Sequence, residues 1–236
     1  TWNPVTGCLH GCAYCYARRI AERFSTEQKY KRPYEPVLPV PTRRVRTKPE
    51  PYPYGFKPTF HRYKLDEPQR WKKPRNIFVC SMADLFGDWV PDEWIKQVFE
   101  ACEAAPQHRY LFLTKNPARL CKMASAYKIR RWNERHEGKL HPQTEAYAQT
   151  LSLPSHDNWW FGSTLDSKNA RRFQGDKHFN TFTSIEPLTE NMDVGIGSFG
   201  SDEWVIIGAE TGNRKGRIIP KREWVENIVE AAQITG

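Results

Sequence analysis

Five short runs constrain this chain most: "RNIFVCS" at 75–81, "RYLFLT" at 109–114, "NWWFGS" at 158–163, "NTFTSIE" at 180–186 and "EWVIIGAE" at 203–210. Each is apolar, largely β-branched or aromatic, and ends in polar residues, as buried parallel strands do. Between them the hydrophobic period becomes helical. In "PDEWIKQVFEACEAA" (91–105) Trp94, Ile95, Val98, Phe99 and Cys102 fall on one face, Pro91 suits a first turn, and Asp92 and Glu93 complement the positive end of the helix dipole. "PARLCKMASAYKI" from Pro117 and "PKREWVENIVEAAQ" from Pro220 begin the same way. Strand alternating with helix implies a parallel sheet, either open or closed into a barrel.

A length of 236 residues with 39% hydrophobic content can supply the core of such a fold. No window approaches the roughly 18 consecutive apolar residues of a membrane span, and the first residues are not a charged stretch followed by an apolar run. The chain therefore reads as a soluble, cytoplasmic protein. No internal repeat is apparent.

Three of the six cysteines, Cys8, Cys12 and Cys15, lie in "TGCLHGCAYCYARR" (6–19). Disulfide scaffolds are usually short secreted chains with spread cysteines, so this cluster favours a metal in a reducing compartment. A structural zinc site wants four protein ligands, and three thiolates leave one position open. His10 or a distant side chain could complete a zinc site; alternatively the vacancy is where the chemistry happens. Thiolates suit both zinc and iron–sulfur clusters. Cys80, Cys102 and Cys121 lie in apolar segments and are expected to pack as small hydrophobes. Only seven residues precede Cys8, so a strand launching the loop is expected to be missing from the chain or clipped.

The charge is uneven. Residues 29–75 carry fourteen Lys and Arg against four Asp and Glu, a net of +10 in a chain whose total is +9. The segment is also rich in proline and aromatics, which predicts an extended surface excursion, an insertion or lid in an otherwise single 1–236 domain. Basic residues interleaved with aromatics point to phosphates, with Arg43, Arg44, Arg46, Lys72, Lys73 and Arg75 as candidate contacts and Tyr52, Tyr54, Phe56 or Trp71 available for stacking. A solvated basic face or a lid over a small substrate is the competing reading.

The spacing C-x3-C-x2-C, with Tyr14 just before the third cysteine, resembles the signature of the radical S-adenosylmethionine enzymes. "TWNPVTGC", "LDEPQRWKKPRNIFVCSMADLF", "LTKNPARL", "SIEPL" and "WVIIGAETG", scattered over nearly the whole chain, look like a phage- and plasmid-associated branch of that superfamily. The resemblance implies a partial parallel (β/α)6 TIM-like barrel. It also implies a [4Fe–4S] cluster on Cys8, Cys12 and Cys15, its fourth iron taking the amino and carboxylate groups of S-adenosylmethionine, and an electron donor such as flavodoxin or ferredoxin. The activity implied is reductive cleavage of S-adenosylmethionine to a 5′-deoxyadenosyl radical that abstracts hydrogen from a substrate.

In parallel α/β barrels the chemistry sits at the carboxyl ends of the strands. Those ends offer Ser81 and Asp84, Thr114 and Lys115, Ser163 and Asp166, Ser184 and Glu186, then Glu210 and Thr211, and they are expected to form one ring. "CSMAD" stands where the resemblance leads one to expect a Gly-Gly-Glu run, which makes Ser81 and Asp84 candidates for the methionine amino group. Tyr14 is placed by the adenine, and Lys115, Ser163, Glu186 and Glu210 are candidates for carboxylate and ribose contacts. For the substrate the alternatives are DNA or RNA, a small metabolite or peptide, or none at all in a non-enzymatic iron–sulfur or zinc module.

Overall fold

The computed structural model describes residues 1–25, 50–136, 139–175, 177–192, 199–200 and 204–235. It divides into two compact units, Thr1–Phe112 and Leu113–Gly236. All five expected strands are present: β3 (Asn76–Val79), β4 (Arg109–Thr114), β5 (Trp159–Thr164), β6 (Asn180–Ile185) and β7 (Trp204–Ile207). They form a five-stranded parallel sheet in sequential order. Every residue of β5 is buried, as expected where both faces of a strand are covered.

In the first unit, α3 (Asp92–Glu103) follows β3 and buries Ile95, Val98, Phe99 and Cys102, the face anticipated from their spacing. Trp94, at the edge of that face, stacks on Phe60 with ring centroids 5.2 Å apart. Phe86, Phe99 and Phe112 meet pairwise at 5.6–6.3 Å, joining the β3–α3 connection, the helix and β4. In the second unit, α4 (Pro117–Arg135) follows β4, α5 (Thr144–Tyr147) is short, and α6 (Arg222–Thr235) follows β7. Ile228 and Ala231 of α6 pack with Leu165, Ile185, Leu188, Met192 and Phe199. The β5–β6 connection contains no helix among its described residues, so this crossover departs from the strict alternation. Its Phe173 N–H instead donates to Ser163 Oγ at 2.7 Å.

Three expectations are corrected. A strand does launch the cysteine loop: β1 (Val5–Thr6) lies within the seven residues before Cys8. The segment 2–7 runs parallel to β3, with the Trp2 N–H donating to Phe78 O at 3.0 Å, the Cys80 N–H to Trp2 O at 2.8 Å and the Gly7 N–H to Met82 O at 2.9 Å. Pro4 has no N–H and interrupts this ladder; the carboxamide oxygen of Asn3 accepts instead from the Met82 N–H at 2.9 Å. The second correction concerns 50–71, which is not a surface excursion. On its other edge β1 pairs antiparallel with β2 (Thr59–Phe60), after which come a 3-10 turn (Arg62–Lys64) and α2 (Glu67–Arg70). Phe60 and His61 are wholly buried. Prolines and aromatics are as compatible with packed turns as with exposed coil, and composition does not separate the two. Third, Cys80 and Cys102 are buried as expected, but Cys121 is exposed on α4.

Candidate functional site

Backbone geometry builds the cysteine loop. Gly7 has φ +88°, and a Cβ there would lie 2.2 Å from the Lys57 carbonyl oxygen, so only glycine lets β1 turn under the 56–58 backbone. The Cys8 N–H then donates to Phe56 O at 3.2 Å, and the Cys15 N–H to Cys12 O at 3.2 Å closes a turn that brings the chain into α1 (Tyr16–Arg23). Cys15 is the N-cap of that helix, its sulfur accepting from the Arg18 N–H at 3.4 Å. Cys8 and Cys15 pack on a floor of Ala17, Ala21, Phe56 and Met82.

Across from the loop, β3 ends at a strained turn. Cys80 has φ +59°, a left-handed conformation that is uncommon away from glycine, and the Ala83 N–H donates back to its carbonyl at 3.0 Å. The turn presents Met82 and Ala83 to Gly7 and leads into Asp84, which is buried. Asp84 Oδ2 is 2.7 Å from His10 Nε2, and Asp84 Oδ1 accepts from the Phe86 N–H at 3.0 Å. The His10 ring also meets Trp89 edge to face at 4.8 Å. Tyr16 adds a second tie, its hydroxyl donating to Ser81 O at 2.8 Å, while Ser81 Oγ donates to Asn3 Oδ1 at 3.2 Å. Asn3, Tyr16 and Trp89 escaped the sequence reading because nothing in spacing or type distinguishes a bracing polar or aromatic residue from an ordinary surface one.

The thiols share one electrostatic neighbourhood. Burial pushes the Cys8 thiol up to about 11, and Asp84, Cys12 and Cys15 add to that push. Ionising Cys8 thus places a negative charge among other acidic groups in a partly dehydrated place, a situation that a cation relieves. Among the described residues, no three His, Cys, Asp or Glu side chains converge as a metal-binding group. The donor set nonetheless fits an iron–sulfur cluster: three thiols on one loop, two of them seated on an apolar floor. Tyr14 is half-buried between the second and third cysteines.

The remaining strand-end residues belong to the second unit. Lys115 Nζ pairs with Asp166 Oδ2 at 2.6 Å, which ties the end of β4 to the end of β5. Thr189 Oγ1 donates to Asp166 O at 3.3 Å, adding the loop after β6. Ser163 and Ser184 are buried within their strands, and Ser163 Oγ is occupied by the Phe173 N–H. Glu186 is exposed and lies over Gly208, where a Cβ would come within 2.8 Å of its carboxylate. Glu210 is buried, and Arg214 grips both its oxygens, at 2.6 and 2.7 Å. Thr114 Oγ1 accepts from the Asn116 N–H at 2.8 Å, and Thr211 is exposed. The accessible members are therefore Lys115, Asp166, Glu186 and Thr211.

Of the basic candidates, Arg43, Arg44 and Arg46 lie outside the described residues. Lys72, Lys73 and Arg75 are exposed, with the Arg75 guanidinium 4.9 Å from the Trp71 ring centre. They precede β3, at the opposite end of that strand from Cys80 and the cysteine loop, and four strand residues rise about 13 Å. Of the stacking candidates, Phe56 is buried in the loop floor under Arg18, while Tyr52, Tyr54 and Trp71 are half-buried.

Fold and site together define an α/β protein whose parallel sheet carries a three-thiol loop beside the carboxyl end of β3. The model of the family described as Protein of unknown function (DUF5131) matches residues 1–236, and the chain belongs to that family. No curated protein and no solved structure matches it.

Proposed function

We propose that this protein is a radical S-adenosylmethionine enzyme that holds a [4Fe–4S] cluster on Cys8, Cys12 and Cys15, with its sheet part of a partial (β/α)6 TIM-like barrel. The observation that carries the reading is the loop itself: three thiols at superfamily spacing, launched by a strand parallel to β3, with Cys8 and Cys15 seated on a common floor. When bound, the cluster would supply one electron to cleave S-adenosylmethionine and so give a 5′-deoxyadenosyl radical able to abstract hydrogen from a substrate.

The chain's own residues bind, orient and shield. Gly7 and the Phe56 carbonyl fix the loop backbone, and Ala17, Ala21, Phe56 and Met82 keep water from one side of it. Asp84, already engaged with His10, serves as a brace for the loop, and Ser81, whose Oγ donates to Asn3 Oδ1, stays a candidate for the methionine amino group. Lys115 and Glu186 remain the accessible candidates for carboxylate and ribose hydroxyls, with Asp166 paired to Lys115. For the substrate we keep the nucleic-acid reading, supported by the exposed Lys72, Lys73 and Arg75 beside Trp71. At the far end of β3 these charges would hold the flank of a strand, not the reacting nucleotide.

One alternative has a specific observation behind it. A carboxylate behind a histidine is the usual partner of a zinc-bound imidazole, so His10 backed by Asp84 could serve as fourth ligand to a zinc ion through its other nitrogen. Metal analysis after anaerobic preparation and reconstitution separates the two. The cluster reading expects about four irons and four sulfides per chain, lost in the triple Cys→Ala variant and retained in His10→Ala. It also expects 5′-deoxyadenosine on addition of S-adenosylmethionine and a reductant. Stoichiometric zinc without iron would overturn it.

A further inference from the structure

The helix that Cys15 caps has an exposed apolar face. In α1, Ala17 and Ala21 are buried, whereas Tyr16 is 51% exposed, Ile20 37%, and Phe24, one residue beyond the helix, 56%. Residues 16, 20 and 24 recur every four positions and so make one stripe along the helix. Leu9, within the cysteine loop, is 54% exposed. Single exposed apolar residues need no explanation, but four large ones on one loop and the helix it leads into mark an interaction surface. The charge on this helix has one dominant sign, with Arg18, Arg19 and Arg23 against Glu22. Arg19 and Arg23 are exposed, and Arg23 extends over the Phe24 ring at 5.4 Å.

We propose that this face of α1, with Leu9, is the docking surface for a small acidic one-electron carrier protein of the flavodoxin or ferredoxin kind. The inference rests on the cluster reading above and adds to it the place where the electron enters. The stripe begins at Tyr16, the residue after the third cysteine, so a carrier seated on it reaches the thiol loop by a short path. The eight residues of α1 are about 12 Å long, which suits the small, transient interfaces of electron-transfer partners and falls short of a stable dimer interface. An apolar centre with an arginine rim complements an acidic patch, which it would steer into register. In the step itself the carrier is oxidised by one electron and the group on Cys8, Cys12 and Cys15 is reduced by one; no bond forms or breaks.

The test measures reduction of the reconstituted protein by reduced flavodoxin and, separately, by photoreduced deazaflavin, a small molecule that needs no docking face. The Arg19→Glu/Arg23→Glu and Ile20→Glu variants are expected to lower the flavodoxin rate about tenfold at low salt while leaving the deazaflavin rate unchanged. The wild-type flavodoxin rate should fall as ionic strength rises. Wild-type flavodoxin rates in both variants would overturn the proposal. So would a wild-type dimer, seen by sedimentation, that Ile20→Glu splits, or a core-sized loss of thermal stability in Ile20→Glu, which would mean that the chain itself covers the face. Failure to take up iron would be seen before any rate is measured, and would remove the cluster reading instead.

Discussion

At the end of β3 the cysteine loop is held by backbone, whereas at the strand ends of the second unit the charged residues are held by one another. Gly7, Cys8, Cys15 and Cys80 are fixed through main-chain hydrogen bonds and two left-handed residues, so the loop is placed chiefly by its backbone, with the Cys15 sulfur also capping α1. Lys115 with Asp166, and Glu210 with Arg214, are already paired, and a ligand there must exchange one partner for another. A site positioned by backbone is sensitive to any change in chain path. A site of paired side chains tolerates loss of a member, provided the pair is open to solvent.

The largest effect that would sharpen this contrast is expected at Gly7. Gly7→Val forces a side chain into the Lys57 carbonyl at a left-handed φ and should cost about 3 kcal/mol or more in denaturant unfolding, along with loss of iron uptake. Near wild-type stability with full iron loading would break the comparison.

Acid should act on β1, the strand that launches the same loop. His61 is buried behind β1, with Nε2 2.8 Å from Thr6 Oγ1 and Nδ1 without a hydrogen-bond partner among the described residues; burial, with a smaller push from Lys64, lowers its pKa to about 3. In the unfolded chain the imidazole protonates below about 6.5. Between those values the unfolded state binds more protons than the folded one, so stability falls as pH falls, by up to roughly 1.4 kcal/mol per pH unit. Urea midpoints measured from pH 7 to pH 4 should show this slope, and His61→Gln should flatten it. An identical slope in the variant would assign the acid sensitivity elsewhere.

A smaller effect is expected at the brace. Asp84→Ala leaves the buried Phe86 N–H and the His10 ring without their carboxylate and should cost about 1–3 kcal/mol. It should also speed alkylation of Cys12 in cluster-free protein; an unchanged rate would show that the carboxylate does not hold the loop. The smallest effect belongs to the second unit. Lys115 and Asp166 side chains are 21% and 32% exposed, and Lys115→Ala should shift stability by about 0.5 kcal/mol or less in thermal unfolding. A loss as large as that of Asp84→Ala would erase the distinction between the two regions.

Much of the fold could be read in advance because the inner strands bury apolar runs, fully in β5 and nearly so in β6, although β7 leaves Ile206 exposed. "RYLFLT" became β4 without a change of boundary and "NTFTSIE" became β6 less its last residue, since uninterrupted apolar runs of this length have few other uses. β1 was not readable. Two strand residues following "TWNP" carry no periodicity, and they are strand only because β2 and the end of β3 supply hydrogen bonds from either side. Phe56, Phe60 and His61 were hidden for a related reason, their prolines and basic neighbours masking a buried run.

The sequence by itself determined most of the alternation of strand and helix and the three thiols within one loop, because each depends on residue type at short range. Tertiary structure alone decided that His10 meets Asp84, 74 positions away, that Lys115 meets Asp166, 51 positions away, that Ser163 faces inward, and that the cysteine loop lies beside the end of β3 far from Lys72, Lys73 and Arg75. Hydrogen bonds and ion pairs of this kind form only after the hydrophobic core has fixed which strand ends become neighbours, and local sequence carries no record of that choice.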